Sequence, residues 1–501
     1  MTMSSPSASG HTSLAQRRFW PSLFLSLTVP VTCPQTGRRA SILMKLHLIG
    51  YKRRTSPQMW HARAEPTHVA GEGFIYMFQI LKVLVHSWHR EIATRGRAML
   101  SALVFFFLCA ATAHGATITA LSCSQTDVQN AVNSASSGDV VVVQGTCTAN
   151  WGSFVTVAST QGITIEASGS VTLSNHGFSV SQNGSAATRI TGFTLTSAGN
   201  GNGSPYALSM NGSSSSFPFR VDHNTFDTGS DIQAVFLEVN GNPPGLIDHN
   251  TFKGGGGSEE IHNNGLGPSN SAGWTNDVTP GSINMVFVED NTFDNYDTTY
   301  ICSGVQSYYG ARTVVRHNAL KFCQVDQHGT SGMIWTRWWE IYDNTFYSKG
   351  LSQCCYIELR GGTGVVWGNT HADTNQVTAD IGLQVEASNC SGTYPTAGYP
   401  ATYQVGRGIN QNLNPAYFWN NGTDMPVQVE QGGGCLAQST DYYVSSGQPN
   451  SLKRWQLASD TSSTTYSYVP FVYPYPLDAN GLPNPTVTRP APGANLKAIS
   501  N

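Results

Sequence analysis

One residue column constrains this chain more than anything else in it. The segments VDHNTFDTG (residues 221–229), IDHNTFKGG (from Ile247) and VEDNTFDNY (from Val288) align on an asparagine. The column runs through Asn224, Asn250, Asn291, Asn318, Asn344, Asn369 and Asn421, in steps of 26, 41, 27, 26, 25 and 52 residues. A fixed period in this range is the signature of a solenoid. The step of 41 reads as one coil with an insertion in GLGPSNSAGWTNDVTPG, residues 265–281. The step of 52 reads as two coils, which predicts a degenerate rung between Thr378 and Tyr403.

Neighbouring columns say which solenoid. Three residues before the asparagine stand Val221, Ile247, Val288, Val315, Ile341, Val366 and Phe418; two after it stand Phe226, Phe252, Phe293, Leu320 and Phe346, with His371 as an exception. Inward β-branched and aromatic residues on either side of a bend are what stacked strands require. Asparagine tolerates the left-handed backbone of a sharp corner, and stacked at about 4.8 Å its amides can hydrogen-bond along the column. The coils are too short for a helix in each, so the strands must run parallel. Asp222, Asp248 and Glu289, two residues before the asparagine, are expected to face outward. They read either as a solvated acidic face or as oxygen ligands for calcium.

The stretch SQTDVQNAVNSASSGDVVVVQGT sets Val128, Ala131, Val132 and Ala135 on one helical face before a β run. A short helix there would cover the open edge of the first rung. This cap, the GDVVVV rung and the asparagine column resemble the right-handed parallel β-helix proteins of the pectate lyase-like superfamily, over roughly residues 120–435. The resemblance implies an all-β, right-handed parallel β-helix and a groove along one sheet face. It does not imply one activity, because that superfamily includes lyases, hydrolases, epimerases, tailspikes and adhesins. Beyond Cys435, the segment TYSYVPFVYPYPLDANGLPNPTVTRPAPG is too rich in Pro to continue a sheet interior. It reads as an extended strap ending in a loose tail from about Ala479.

Charge divides the chain. Residues 1–98 hold 13 of the 27 Lys and Arg but 3 of the 30 Asp and Glu, which leaves 14 against 27, a net charge of −13, for residues 99–501. That balance argues against nucleic acid as a partner. It also works against an anionic polysaccharide unless cations intervene. At the break, RGRAMLSALVFFFLCAATAHGA has the layout of a signal peptide, with a membrane anchor on the same apolar run as the rival reading. The expected organisation is a gene-model extension outside the fold (1–98), a signal peptide (99–115), a β-helix domain (116–440) and a strap with tail (441–501). Secretion or periplasmic export follows, with no stable membrane span after cleavage. Cys123, Cys147, Cys302, Cys323, Cys354, Cys355, Cys390 and Cys435 form an even set behind that signal, which points to disulfides. Cys123–Cys147 and Cys302–Cys323 are the expected bridges; the other four leave their pairing open.

Chemistry is sought on the strands before each corner: AVFLEV, EEIHNN, ICSGVQSYYGAR, QVDQHGTSG and CYIELRGG. Alternation aims Glu238, Glu260, His262, Gln306, Asp326, His328, Glu358 and Arg360 outward. Asp326 and His328 share one side of a strand, so the acid could orient or charge the imidazole, and Gly329 leaves room for a ligand. Tyr308, Tyr309, Trp335 and Trp338 are candidates for stacking on sugar rings, Trp339 reads as core, and Arg337 could meet a carboxylate or sulfate.

Two cleavage chemistries fit. A polysaccharide lyase would use His328 as base and Arg360, Arg337 or calcium to neutralise a uronate. A glycoside hydrolase would use Asp326 and Glu358. The RxPxxR run of pectate lyases and the Asp pair and RIK of polygalacturonases are absent, so no catalytic role carries over. A non-catalytic glycan-binding or adhesin-like β-helix is the third reading. Asn183, Asn202, Asn211, Asn389 and Asn421 stand in sequons.

Overall fold

The computed structural model describes residues 115–486, apart from short stretches of which 386–403 and 454–464 are the longest, together with the strand backbone of 23–32, 39–51 and 59–66. The signal-like segment, Cys390, Cys435 and the tail beyond residue 486 lie outside the described residues. The chain divides into two units, Met1–Ala113 and His114–Asn501. The first contains a three-stranded antiparallel sheet, Leu23–Thr32, Arg39–Tyr51 and Met59–Pro66, in the stretch expected to be an extension outside the fold.

The second unit is an all-β parallel solenoid. It opens on a short strand, Thr117–Thr119, and then the helix Gln125–Ser134, capped by Ser124, whose hydroxyl accepts from the Asp127 amide. Val128, Ala131 and Val132 are its buried face, as the spacing predicts. The rungs then build two large parallel sheets of 19 and 10 strands. In the ten-stranded sheet every strand pairs with the strand of the next rung, from Val155–Val157 through Cys302–Ser307, Cys323–Gln327 and Gln353–Leu359 to Val427–Gln431. The inward columns are those expected: Val221, Ile247, Val288, Val315, Ile341, Val366 and Phe418 are buried. Phe226, Phe252 and Phe293 stack face to face at 4.7 and 4.8 Å, one per rung.

The corner works differently from the expectation. The left-handed residue is the one before the asparagine: His223 (φ +56°), His249 (+55°), Asp290 (+57°), His317 (+54°) and Asp343 (+54°). The asparagine itself points inward. Asn291 donates to the carbonyls of Ile247 (2.8 Å) and Glu289 (2.9 Å), and its own carbonyl oxygen receives the Asn250 amide at 2.9 Å. The ladder continues unbroken from Asn224 to Asn421. It satisfies backbone groups that the bend removes from the sheets.

The step of 52 residues holds no additional rung. Asn369 takes Asn421 as its direct ladder partner, and Thr363–Trp367 pairs directly with Ala416–Trp419. The extra length is therefore an insertion within one coil. One rung is added beyond the expected end, where Tyr442–Ser445 pairs with Ala416–Trp419.

The acidic column is corrected as well. Asp222, Asp248 and Glu289 face away from the core but are buried, at 0, 2 and 2% exposure. Each meets an arginine. Arg189 Nε donates to Asp222 at 2.7 Å, Arg220 Nε to Asp248 at 2.9 Å and Arg316 Nε to Glu289 at 2.6 Å. Over this ladder lies the strap. Tyr468 donates its hydroxyl to Glu340 (2.8 Å), Arg316 donates to the carbonyls of Phe471 (2.7 Å) and Val472 (3.0 Å), the Tyr475 amide donates to Glu289 (2.8 Å), and Arg220 donates to the carbonyl of Gly481 (2.6 Å). The strap thus descends the solenoid from the Glu340 rung towards the first arginines and excludes water from them. Residues 479–481, expected to begin a loose tail, are still docked.

Cys123–Cys147 and Cys302–Cys323 are bonded as expected, the second joining register partners of neighbouring rungs. Cys354 and Cys355 are bonded to each other. No helix among the described residues is long and apolar enough to cross a membrane.

Candidate active site on the ten-stranded sheet

The strand register assembles a polar row across this sheet. Ser209, Glu238, His262, Gln306, Asp326 and Glu358 are successive partners, one per rung. Outward alternation is therefore right for the five of these that were expected on this face. One step further along each strand, the row is polar and aromatic. Asn264, Tyr308, His328 and Arg360 are tied to neighbouring rungs by backbone bonds of 2.8, 2.8, 2.9 and 3.0 Å.

Tyr308 is the hub. Its ring lies 4.6 Å from the His262 ring and 4.2 Å from that of His328, stacked on the latter. Burial pushes both imidazoles down to about 4; the charge of His328 adds to the shift at His262, and the pull of Asp326 at His328 is too small to offset its burial. Both rings are therefore neutral at ordinary pH. Burial likewise raises the Tyr308 phenol, and the charges of Glu259 and Asp326 add to it.

Asp326 does not charge His328, because its oxygens are turned to Arg360. Nε of that guanidinium donates at 3.1 Å, a second nitrogen makes a shorter contact, and Gln306 donates to the same carboxylate at 3.0 Å. Arg360 also lies 3.7 Å from Glu358, which accepts from Gln324 at 3.1 Å. The proposed hydrolytic pair is thus bridged by one guanidinium. Glu238 accepts from Asn240 (2.8 Å) and Asn264 (2.6 Å).

Other candidates move away from the groove. Trp335 is buried, and its ring fills the space beside Gly329 and Gly361, so Gly329 makes room for the indole and not for a ligand. Trp338 is buried beneath the strap, in an apolar cluster with Phe471 and Tyr475, and donates to Glu340 at 3.0 Å. Arg337 is fully buried, out of reach of a groove substrate. Trp339 is core, as expected. Asp222, Asp248 and Glu289 are spent on guanidinium groups under the strap. Among the described residues, the oxygens and sulfurs that converge closely enough for a metal belong to Cys354, Cys355 and Glu430.

One group was missed. Glu260 is buried within charge range of Tyr296, and its neighbour Glu259, which was not foreseen, lies against His262. Glu259 Oε2 lies 3.1 Å from His262 Nδ1. Burial raises this carboxyl to about 7, helped by the charge of Asp326 and opposed by Arg360. Simple alternation counted back from His262 selects Glu260. The facing strand stays in register with Glu259 and Ile261 at Ser303 and Val305, and its bulge falls on its far side, against Cys323–Gln327.

Fold and face together define a parallel β-solenoid with a row of titratable side chains along its ten-stranded sheet. No protein-family model matches the chain, and no curated protein matches it. The crystal structure of an alginate lyase from a Paenibacillus species aligns over 66% of this chain and 94% of its own, at 13% identity and a TM-score of 0.32. A likeness this distant assigns no residue and no activity.

Proposed function

We propose that this is a secreted, carbohydrate-active β-solenoid that binds an extended polysaccharide along the ten-stranded sheet and cleaves it by β-elimination at a uronic acid. The observation that carries the reading is the His262–Tyr308–His328 stack, neutral imidazoles around a phenol, beside Arg360. In β-elimination the C5 proton passes to a base, the C4–O bond breaks as the C4–C5 double bond forms, and the departing oxygen takes a proton. His328 is neutral and able to accept; an approaching uronate strengthens it as a base by raising its affinity for a proton. Tyr308, in ring contact with it, carries the proton for the leaving oxygen. Asp326 fixes Arg360 through paired hydrogen bonds and so positions the far wall of the site.

A second reading rests on Glu259. A carboxyl raised to about 7 beside the arginine-paired Asp326 is the kind of split acid pair that glycosidic hydrolysis uses. Depolymerisation assays of residues 116–501 on uronate and neutral polymers separate the readings. Absorbance of unsaturated ends, lost in His328→Ala, is the expected result. New reducing ends without that absorbance mean hydrolysis, and retention on a glycan without cleavage means a binding module.

A further inference from the structure

The outward row of the ten-stranded sheet does not end at Glu358. Its register partner in the next rung is Gly382, which pairs in turn with Gln428 of the last strand. The glycine leaves a space that two other side chains fill. A β-carbon built on it would lie 2.8 Å from the Cys355 sulfur and 3.3 Å from Cγ of Glu430. Glu430 reaches that space through an irregularity in its strand. Leu383 pairs with Val429 and Gln384 with Gln431, so Glu430 is the unpaired residue of a bulge. A bulge re-aims the side chain that it frees. Here it brings the carboxylate to the cysteine pair, with Oε2 3.2 Å from the Cys354 sulfur. Both sulfurs and a carboxylate oxygen lie within 4.8 Å of one another.

We infer that Cys354, Cys355 and Glu430 form a redox-gated site for one divalent cation of the zinc class. The site is independent of the lyase reading of the groove. Two sulfurs and one oxygen are a poor set for calcium or magnesium, which take oxygen ligands, and a good one for zinc. With Zn–S bonds of about 2.3 Å and Zn–O bonds of about 2.1 Å, tetrahedral geometry sets sulfur and oxygen about 3.6 Å apart, so little movement is needed at Cys354 and Glu430. Glu430 is exposed and Cys354 half-buried, which leaves the fourth position to solvent. While Cys354 and Cys355 are bonded to each other, neither sulfur is a thiolate and the site is shut. A dithiol opens it. Two electrons and two protons pass to the bridge, which becomes two thiols, and the dithiol closes to its own disulfide. The cation then displaces both thiol protons. It would clamp Gln353–Leu359 to Val427–Gln431 across the strand between them, and so fasten the last three strands of the sheet.

The test uses the full chain in oxygen-free buffer, before and after treatment with dithiothreitol and its removal, with Co2+ as the probe. The expected result is one cation taken up by the reduced chain, with thiolate-to-cobalt charge-transfer absorption that zinc abolishes, and no such absorption in the untreated chain. Reduction opens the other bridges too, so Cys354→Ser/Cys355→Ser is the baseline. Glu430→Ala, a change at an exposed side chain, should weaken Co2+ binding about tenfold or more. If the reduced parent takes up no more Co2+ than the double variant, the site falls. It falls equally if Glu430→Ala binds Co2+ as the parent does, or if peptide mapping of the untreated protein joins Cys354 or Cys355 to Cys390 or Cys435.

Discussion

The neutral imidazole of His328 is a consequence of where its strand ends. The ring stacks on Tyr308 and loses water on one face, while Asp326, the acid that could have charged it, is held by Arg360. Its proton resonances should therefore titrate near pH 4, and an ordinary value near 6.5 in the folded protein would remove the burial argument. The sign for stability follows. His262 and His328 both have folded values below the unfolded 6.5, so the unfolded state binds more protons between about 4 and 6.5. Their contribution is present above that window and is lost as pH falls through it. Glu259 acts in the opposite sense, and its contribution is lost as pH rises through 7. Replacing both histidines by glutamine should flatten the acid side of the melting-temperature profile. At the corners, Asn291→Ala should cost about 1–3 kcal/mol, because it strands the Ile247 and Glu289 carbonyls and the Asn250 amide together. A urea midpoint unchanged by that substitution would show that the ladder is dispensable.

The strap is the element that turns a surface into an interior. Without it the arginine–carboxylate ladder would be a wet face of modest worth. Beneath it, Glu289 and Arg316 are both sealed, and burial raises the Glu289 carboxyl even against the charge of Arg316. Arg316→Ala would leave that carboxyl buried without its partner and remove two donors from the strap carbonyls. A loss of about 3–5 kcal/mol is expected, with faster proteolytic cleavage between residues 465 and 486. Cleavage at the parental rate would mean that the strap is held by its aromatic residues alone. The same ladder bears on metal. Asp222, Asp248 and Glu289 each take a guanidinium where a metal ion would otherwise sit, so chelation with excess EDTA should leave the melting temperature unchanged. A fall that calcium reverses would restore the metal reading of this column.

At the scale of the whole molecule, what was legible in advance is what repeats. Every rung must bend, bury one face and satisfy the bend's backbone, so the Asn, Val and Phe columns recur and announce a parallel solenoid. What does not repeat was hidden. The ladder's acids could be seen, but Arg189 and Arg220 stand outside their column, and the strap that covers them is up to 291 residues away. A coil with a long insertion and a pair of coils have the same length, so the step of 52 residues was misread. The polar row was legible by alternation, whereas the burial of Trp335 beside Gly329 and the contact of Glu259 with His262 depend on the local path of the chain. Net charge also acts at this scale, and it sets the last prediction. Residues 99–501 carry 14 basic and 27 acidic side chains, so an anionic polymer approaches against the field of the protein. Raising ionic strength from about 10 to about 150 mM shortens the screening length from about 30 to about 8 Å, which weakens that repulsion more than it weakens contacts inside the groove. KM for a uronate polymer should therefore fall as salt is added, with kcat little changed, while KM for a neutral polymer stays level. A KM that rises with salt would require a basic surface to steer the substrate, and the ten-stranded face, where Arg360 is already paired, would no longer be the place to look.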